Sequence, residues 1–395
     1  MKDVSQARLW NSNYIKVWSG NFLLYFAFML LAPLFPIYLS DTYAADKETI
    51  GIVLSGYTLA ALFIRPFSGF MVDSLPRKVV LLVTFFFFFA FFAGYLIAGT
   101  LTAFAIFRTL HGVPFGAVTV ANSTIAIDVL PSSRRTEGIG YYGLSNNIAT
   151  AISPTVALWI YHYYQSYDLL FILSLICSLA GLIVDSTIKL PKKKLLKEAK
   201  PVSLDRFILV KGWSHGISIM CFALSYGVLS TYIAIYGKEE LDIIGGTGVF
   251  FMLLASGLAL SRIIGGRTLS KGKIVENASA GALVSVFGYL LFAALHNKIG
   301  YYGAALIIGL GNGHMYPAFQ NMFIGLGSNN QRGTANSTIL TSWDLGAGIG
   351  VLFGGIIAER FGYHSAFWMA CVVDVFGVVW YFIHSRRYYI KNRLR

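Results

Sequence analysis

The sequence predicts an all-α polytopic membrane protein, and three observations carry that expectation. Of 395 residues, 56% are hydrophobic and only 12% are charged, with a mean hydropathy of +0.64. A soluble domain carries about 25% charged residues, so this chain has too little polar surface to cover a water-exposed fold. Apolar stretches of membrane-spanning length recur along the whole chain, and marked residues repeat at an offset of 197. A soluble globular enzyme is excluded by this composition, and so is disorder, which needs low hydrophobicity.

A crossing helix needs about 20 apolar residues to span a hydrocarbon core of about 30 Å. Twelve windows satisfy this: 17–39, 50–72, 79–98, 101–126, 138–160 and 168–188, then 207–236, 247–269, 274–294, 299–325, 334–358 and 364–384. Between the two sets of six lies a basic stretch with Lys192, Lys193, Lys194, Lys197 and Lys200. The chain therefore divides into a six-helix bundle over 1–188, a linker over 189–206, and a second bundle with its tail over 207–395. Pro33 and Pro36 predict a kink near the outer end of the first helix. The Phe85–Phe89 run reads as lipid-facing packing. Met1 to Lys16 is polar and lacks the apolar core of a cleaved signal peptide.

Lys and Arg set the orientation. With the N-terminus inside, inner segments hold Arg8, Lys16, Arg77, Lys78, Arg134, Arg135, Lys271, Lys273, Arg332 and the tail from Arg386, besides the linker cluster. Outer loops hold Lys47, Lys238, Lys298 and Arg360, and collect acids such as Asp41, Asp168, Glu239 and Glu240. Both termini are expected on the cytoplasmic side of the cell membrane. The net charge of +13 is thus a topology signal. No basic domain exists to hold a nucleic acid. Cys177, Cys221 and Cys371 lie far apart in apolar runs and form no disulfide or metal pattern, and the histidines and acids lack metal-ligand spacing.

The repeat reaches from the second span to the eleventh. Under the 197 offset Gly51 falls on Gly248, Arg65 on Arg262, Gly69 on Gly266, Gly112 on Gly309, Gly116 on Gly313 and Arg135 on Arg332. Two homologous six-helix halves follow. Such halves suit a carrier that rocks about a site near the bilayer midplane, whereas a channel would line a fixed pore with repeated polar rings.

Between the second and third spans the chain reads Gly69-Phe-Met-Val-Asp73-Ser-Leu-Pro76-Arg77-Lys78. This resembles the cytoplasmic signature G-x-x-x-D-x-x-G-R-[KR] of the major facilitator superfamily, with Pro76 in place of Gly. Arg108-Thr-Leu-His111-Gly112-Val-Pro114-Phe-Gly116-Ala117 is similar to the pattern R-x-x-Q-G-x-G-x-A of the same family, His111 standing at the Gln position. Gly140, Ala149, Ser153, Pro154 and Ala157 keep the spacing of the antiporter motif G-x8-G-x3-G-P-x2-G, most of its glycines replaced by Ala or Ser. The run Arg134 to Leu144 resembles the bacterial drug/proton-antiporter branch. The resemblance covers the whole chain. It implies the fold of that superfamily, with two six-helix bundles. It also implies a gating set in which Asp73 meets the amino end of the eleventh helix, where the dipole favours an anion, and Arg77 pairs with Asp128. The alternative is a set of solvated interface charges.

Charges inside a span cost at least about 2.5–3.5 kcal/mol on insertion scales and mark function. Arg108 is a candidate for proton coupling or for holding an anionic substrate; the alternative is an arginine bonded to backbone carbonyls. His111, three residues on, shares its face and can carry a proton or be a satisfied core histidine. Asp344 in the eleventh span, beside Trp343, is a candidate cavity or proton-coupling acid. The offset places it on Asn147 of the fifth span, next to Asn146. Tyr316 is among the tyrosines that could line an amphipathic cavity. Asp374 reads as half of a structural pair. Arg65 and Arg262 read as structural or gating, and Gly112, Gly116, Gly140, Ser153 and Pro154 as close-packing positions.

The function expected is secondary transport by alternating access: export of a small organic compound in exchange for protons. No Walker-type nucleotide motif is present, so the drive is an ion gradient and no cofactor is called for. The partners expected are a small-molecule substrate and the lipid bilayer, with the chain acting as a monomer. The alternatives are an importer or facilitator of a sugar, carboxylate or other metabolite on the same fold, and a non-transporting sensor. A membrane-embedded enzyme would need a nucleophile–base or metal constellation, which the sequence does not present.

Overall fold

The computed structural model describes residues 8–32, 34–45, 47–190, 204–243 and 247–394. Among them the chain is helical, without strands. The first half contains α1 (Ser12–Leu31), α2 (Phe35–Tyr43), α3 (Lys47–Ser74), α4 (Arg77–Ile97), α5 (Leu101–Val129), α6 (Arg135–Tyr164) and α7 (Tyr167–Ser186). The second contains α8 (Trp213–Glu240), α9 (Thr247–Ser270), α10 (Ile274–Ala294), α11 (Lys298–Leu326), α12 (Arg332–Phe361) and α13 (Tyr363–Trp380). A π-helical turn over Tyr381–Ser385 leads from α13 into α14 (Arg386–Asn392).

Among the described residues ten helical segments are long and apolar enough to cross a membrane, α1 with α2 counting as one. The two sequence windows outside this set became α6 and α11, of 30 and 29 residues. Both carry polar side chains along their length. In α11 these are Asn312, Gln320 and Asn321, and all three are buried. The first window is broken rather than kinked. α1 ends at Leu31 and α2 starts at Phe35, with Pro36 in its first turn, where a missing N–H costs nothing. Pro33 and the lysines of the linker lie outside the described residues. The Phe85–Phe89 run is also divided: Phe86 and Phe87 are exposed, but Phe85 and Phe88 are fully buried, since the helical period turns them inward.

The repeat extends to helix ends and to the caps. Helices α4, α5 and α6 return as α10, α11 and α12 with identical lengths, each displaced by 197. Thr100 caps α5 by accepting from the Ala103 N–H at 3.2 Å, and Asn297 caps α11 by accepting from Gly300 N–H at 2.8 Å; these caps are also 197 apart. A Cβ on Gly112 would strike the carbonyl of Tyr57, and one on Gly309 the carbonyl of Leu254. Likewise Gly116 lies against Ala61, and Gly313 against Leu258. Every one of these pairs maps onto its counterpart. Backbone meets backbone at both places, so only glycine lets α3 approach α5 and α9 approach α11.

The chain forms two compact units. The first is residues 8–138, 145–208 and 332–337 of the described chain; the second is 139–144, 209–331 and 338–394. In the first unit the end of α7 is capped by side chains from neighbouring helices. Lys16 donates to Thr187 O at 3.1 Å, Lys78 to Ile188 O at 2.8 Å and Asn13 to Lys189 O at 2.9 Å. The first satisfies the C-cap carbonyl that the helix end leaves without a partner, and the other two hold the segment that follows it. In the second unit Tyr236, Phe250, Phe292, Tyr301 and Phe367 form an aromatic core.

Candidate functional site

Two polar assemblies occupy the first unit. One lies where α3 ends. Asp73 accepts from the Gly333 N–H at 2.9 Å, the Thr334 N–H at 2.8 Å and the Thr334 hydroxyl at 3.0 Å. These are the first amides of α12, which no intrahelical acceptor can satisfy, and the helix dipole adds to the attraction. Arg77 donates to Asp73 Oδ1 at 3.2 Å, to Val72 O at 3.2 Å and to Asp128 Oδ2. Asp128 Oδ1 accepts from Arg332 at 2.7 Å. The chain of charges thus runs α12–Asp73–Arg77–Asp128–Arg332. Gly69 makes it possible, because a Cβ there would press on Ser337 and on the Gly333 carbonyl. Lys78 takes no part and is spent on Ile188. Arg332, which sequence reading used as a repeat marker and an orientation charge but not as part of the gating set, closes the network. Its signal was present: it is the basic residue opening the helix that Asp73 meets.

The second assembly surrounds Arg108, 5% exposed. Its guanidinium carbon lies 4.0 Å from the Tyr57 ring centroid, 4.4 Å from Phe35 and 5.5 Å from Phe28. Its Nη1 donates to the Tyr95 hydroxyl at 3.4 Å, and that hydroxyl is 2.8 Å from His111 Nδ1. Each face of a desolvated cation on an aromatic ring is worth about 2 kcal/mol. The cage therefore offsets much of the cost of burial, without an acid among the ion pairs of the described residues. Four helices, α1 to α4, supply the rings, so no local pattern announces it. His111 is itself sealed, with Phe88 and Phe92 each 4.8 Å from its ring centre and Nε2 without a hydrogen bond.

Asn146 and Asn147 lie half-buried on α6, after Ser145, whose hydroxyl accepts from Asn21 at 2.7 Å. Ser153 is buried and donates to Ala149 O, directly before Pro154 interrupts the α6 ladder. Gly140 corrects the packing expectation: a Cβ there would meet only ordinary contacts, Leu269 at 3.7 Å and Arg262 at 3.9 Å. On α12 the glycines in close packing are Gly346 and Gly350, set against the Met220 and Leu224 carbonyls of α8. In the second unit Trp343 packs edge-on to Tyr316 at 5.2 Å and against Tyr226 at 5.6 Å. Asp344, half-buried, follows directly.

Asp185 was missed by sequence reading. It is fully buried on α7, accepting from Asn122 at 3.3 Å, and it fits only because Gly20 of α1 has no side chain. An acid near the end of an apolar span was the available signal.

The sequence profile of the Major Facilitator Superfamily matches residues 17–351. The chain belongs to that superfamily. Among relatives of this transporter, multidrug resistance protein MdtG of Escherichia fergusonii is 24% identical over 394 residues, covering 96% of this chain and 95% of its own. The staphylopine export protein of Staphylococcus aureus is 23% identical over 351 residues, covering 85% and 86%. Two solved structures share the fold. The human organic anion transporter MFSD10 gives a TM-score of 0.79 at 16% identity, covering 93% of this transporter and 98% of that chain. The E. coli fucose:proton symporter FucP gives 0.78 at 15%, covering 95% and 98%. The transporter is thus a multi-pass membrane protein of a family whose members carry solutes.

Proposed function

We propose that this transporter exports a small organic compound in exchange for protons, by alternating access and without ATP. The observation that carries the reading is the Asp73 network. A carboxylate that holds the amino end of α12 and also Arg77 is a two-state element: either the whole set of bonds is made or it is released together. A ligand or proton that favours one state then shifts the population. The names of the multidrug resistance and staphylopine export relatives support the outward direction and an organic cargo. Arg108 is the first-unit candidate for an anionic group or for proton coupling. Asp344, beside the Tyr226–Tyr316–Trp343 cluster, is the acid where proton and cargo would meet.

Inverted vesicles loaded with the transporter test this. A pH gradient, acid inside, is expected to drive ethidium accumulation, and Asp344→Asn is expected to abolish it. Gradient-driven accumulation at the full native rate in Asp344→Asn overturns its assignment. No response of the native transporter to the gradient, across ethidium and a set of organic anions, overturns export by proton exchange. The import alternative keeps one supporting observation: Gly140 has no close packing role and positions 149 and 153 carry Ala and Ser, so the antiport-type helix is weakened. Loss of a labelled metabolite from cells lacking the transporter would favour it.

A further inference from the structure

Asp185, which the transport reading above does not use, sits in the last turn of α7. It is 0% exposed, as is Asn122 of α5. The Asn122 side-chain amide donates to Asp185 Oδ2 at 3.3 Å. Asp185 Oδ1 and Asn122 Oδ1 are both buried without a hydrogen bond. α1 closes the third side. A Cβ on Gly20 would overlap Asp185 Oδ1 and lie 2.6 Å from the carboxyl carbon, so the backbone of α1 rests directly on the carboxyl group.

The titratable groups at this end of the neighbouring helices are bonded elsewhere. In α1, Lys16 donates to Thr187 O and the Tyr14 hydroxyl to Gly138 O. In α4, Lys78 donates to Ile188 O, and Arg77 to Asp73 and to Asp128 of α5. No ion pair among the described residues includes Asp185. One long hydrogen bond from a neutral amide cannot repay the hydration that a carboxylate loses here. The helix dipole adds a second penalty, since the carboxyl end of α7 disfavours an anion. A carboxyl group carrying a proton suffers neither. The second unit shows that such a joint needs no acid: under the 197 offset Asp185 falls on Phe382 and Asn122 on Phe319. Packing alone therefore does not account for the polar pair in the first unit, and a buried acid within a span marks function.

We propose that Asp185 and Asn122 form a proton-binding site at the joint of α1, α5 and α7, and that the bound proton lets α1 close on α7. With the proton in place, the Gly20 backbone rests on a neutral group. When the proton passes to water, the carboxylate left behind draws hydration, and α1 has to yield to admit it. The site stands whichever cargo is carried and whichever ion drives the transport.

Infrared spectroscopy of the purified full-length transporter tests the site directly. At neutral pH the native protein should show a protonated-carboxyl C=O band that Asp185→Asn, a near-isosteric change, removes. Melting curves in detergent give a second reading. The unfolded acid ionises near about pH 3.9, so a folded form that keeps the proton binds more protons and loses stability as pH rises. The native midpoint should fall between about pH 5 and about pH 8 by this contribution, and Asp185→Asn should match the native protein at the acid end and lack that part of the slope. A spectrum unchanged in Asp185→Asn overturns the proposal, as does an equal slope in both proteins. Failure of Asp185→Asn to fold overturns it too, because a neutral amide should replace a neutral acid. A missing band with a native midpoint higher in sodium chloride than in choline chloride assigns the site to sodium instead. The closing role is read from amide exchange around Gly20. Corrected for its intrinsic pH dependence, that exchange should quicken with rising pH in the native protein and not in Asp185→Asn; the same protection in both overturns the closing role.

Discussion

The α3–α5 pair of the first unit and the α9–α11 pair of the second are one joint built twice, and they carry different charges. Gly112 against Tyr57 O matches Gly309 against Leu254 O. Arg65 reaches Thr119 at 3.2 Å and Arg262 reaches Gly313 O at 2.7 Å, both bonding into the second half of the partner helix. Beyond that the two diverge. Asp73 has Ser270 as its counterpart, and Ser270 is exposed. Arg108 has Ala305, and no aromatic cage is needed there. Duplication preserved what holds helices together, and the acids and the caged cation were placed on one copy only. Packing is thus the shared part of the design, and the polar networks are what individualise each half.

The largest effect that would break this contrast lies at Asp73. Removing one partner of a buried charge set costs about 3–5 kcal/mol, so Asp73→Ala should lower the thermal midpoint markedly and abolish transport. Ser270→Ala should stay within about 0.5 kcal/mol, as surface changes do. Equal losses at both sites, read from melting curves in detergent, would erase the asymmetry. The next effect concerns the shared joint. Gly112→Leu and Gly309→Leu each force helix backbones apart at a cost of about 1–3 kcal/mol or more. Their folded yields should fall to a similar extent, and tolerance at one position would show that the halves are not packed alike. The smallest effect is at the caps, where Thr100→Ala and Asn297→Ala should each cost about 1 kcal/mol. A difference between them larger than that would point to unequal burdens on α5 and α11.

Much of this was legible in sequence, because apolar length and a fixed offset are one-dimensional properties. The repeat survives at helix ends and caps since both depend on local chemistry. What was not legible depends on which side chains meet. The rings around Arg108 come from four helices. Phe85 and Phe88 belong to a run whose composition suggested lipid, yet the helical turn drives two of five inward. Lys78, which flanks Arg77, looked like part of the same network, and only geometry assigns it to α7.

That assignment has a consequence for how the chain is threaded into the bilayer. Lys16 and Lys78 count as positive charges for the insertion machinery, and in the finished protein the same ammonium groups hold the Thr187 and Ile188 carbonyls just past the end of α7. Charges of the kind that set topology thereby also serve as fasteners in the folded chain. Replacing either lysine by glutamine should separate the two roles, since the amide can still donate to a carbonyl but no longer speaks to the translocation apparatus.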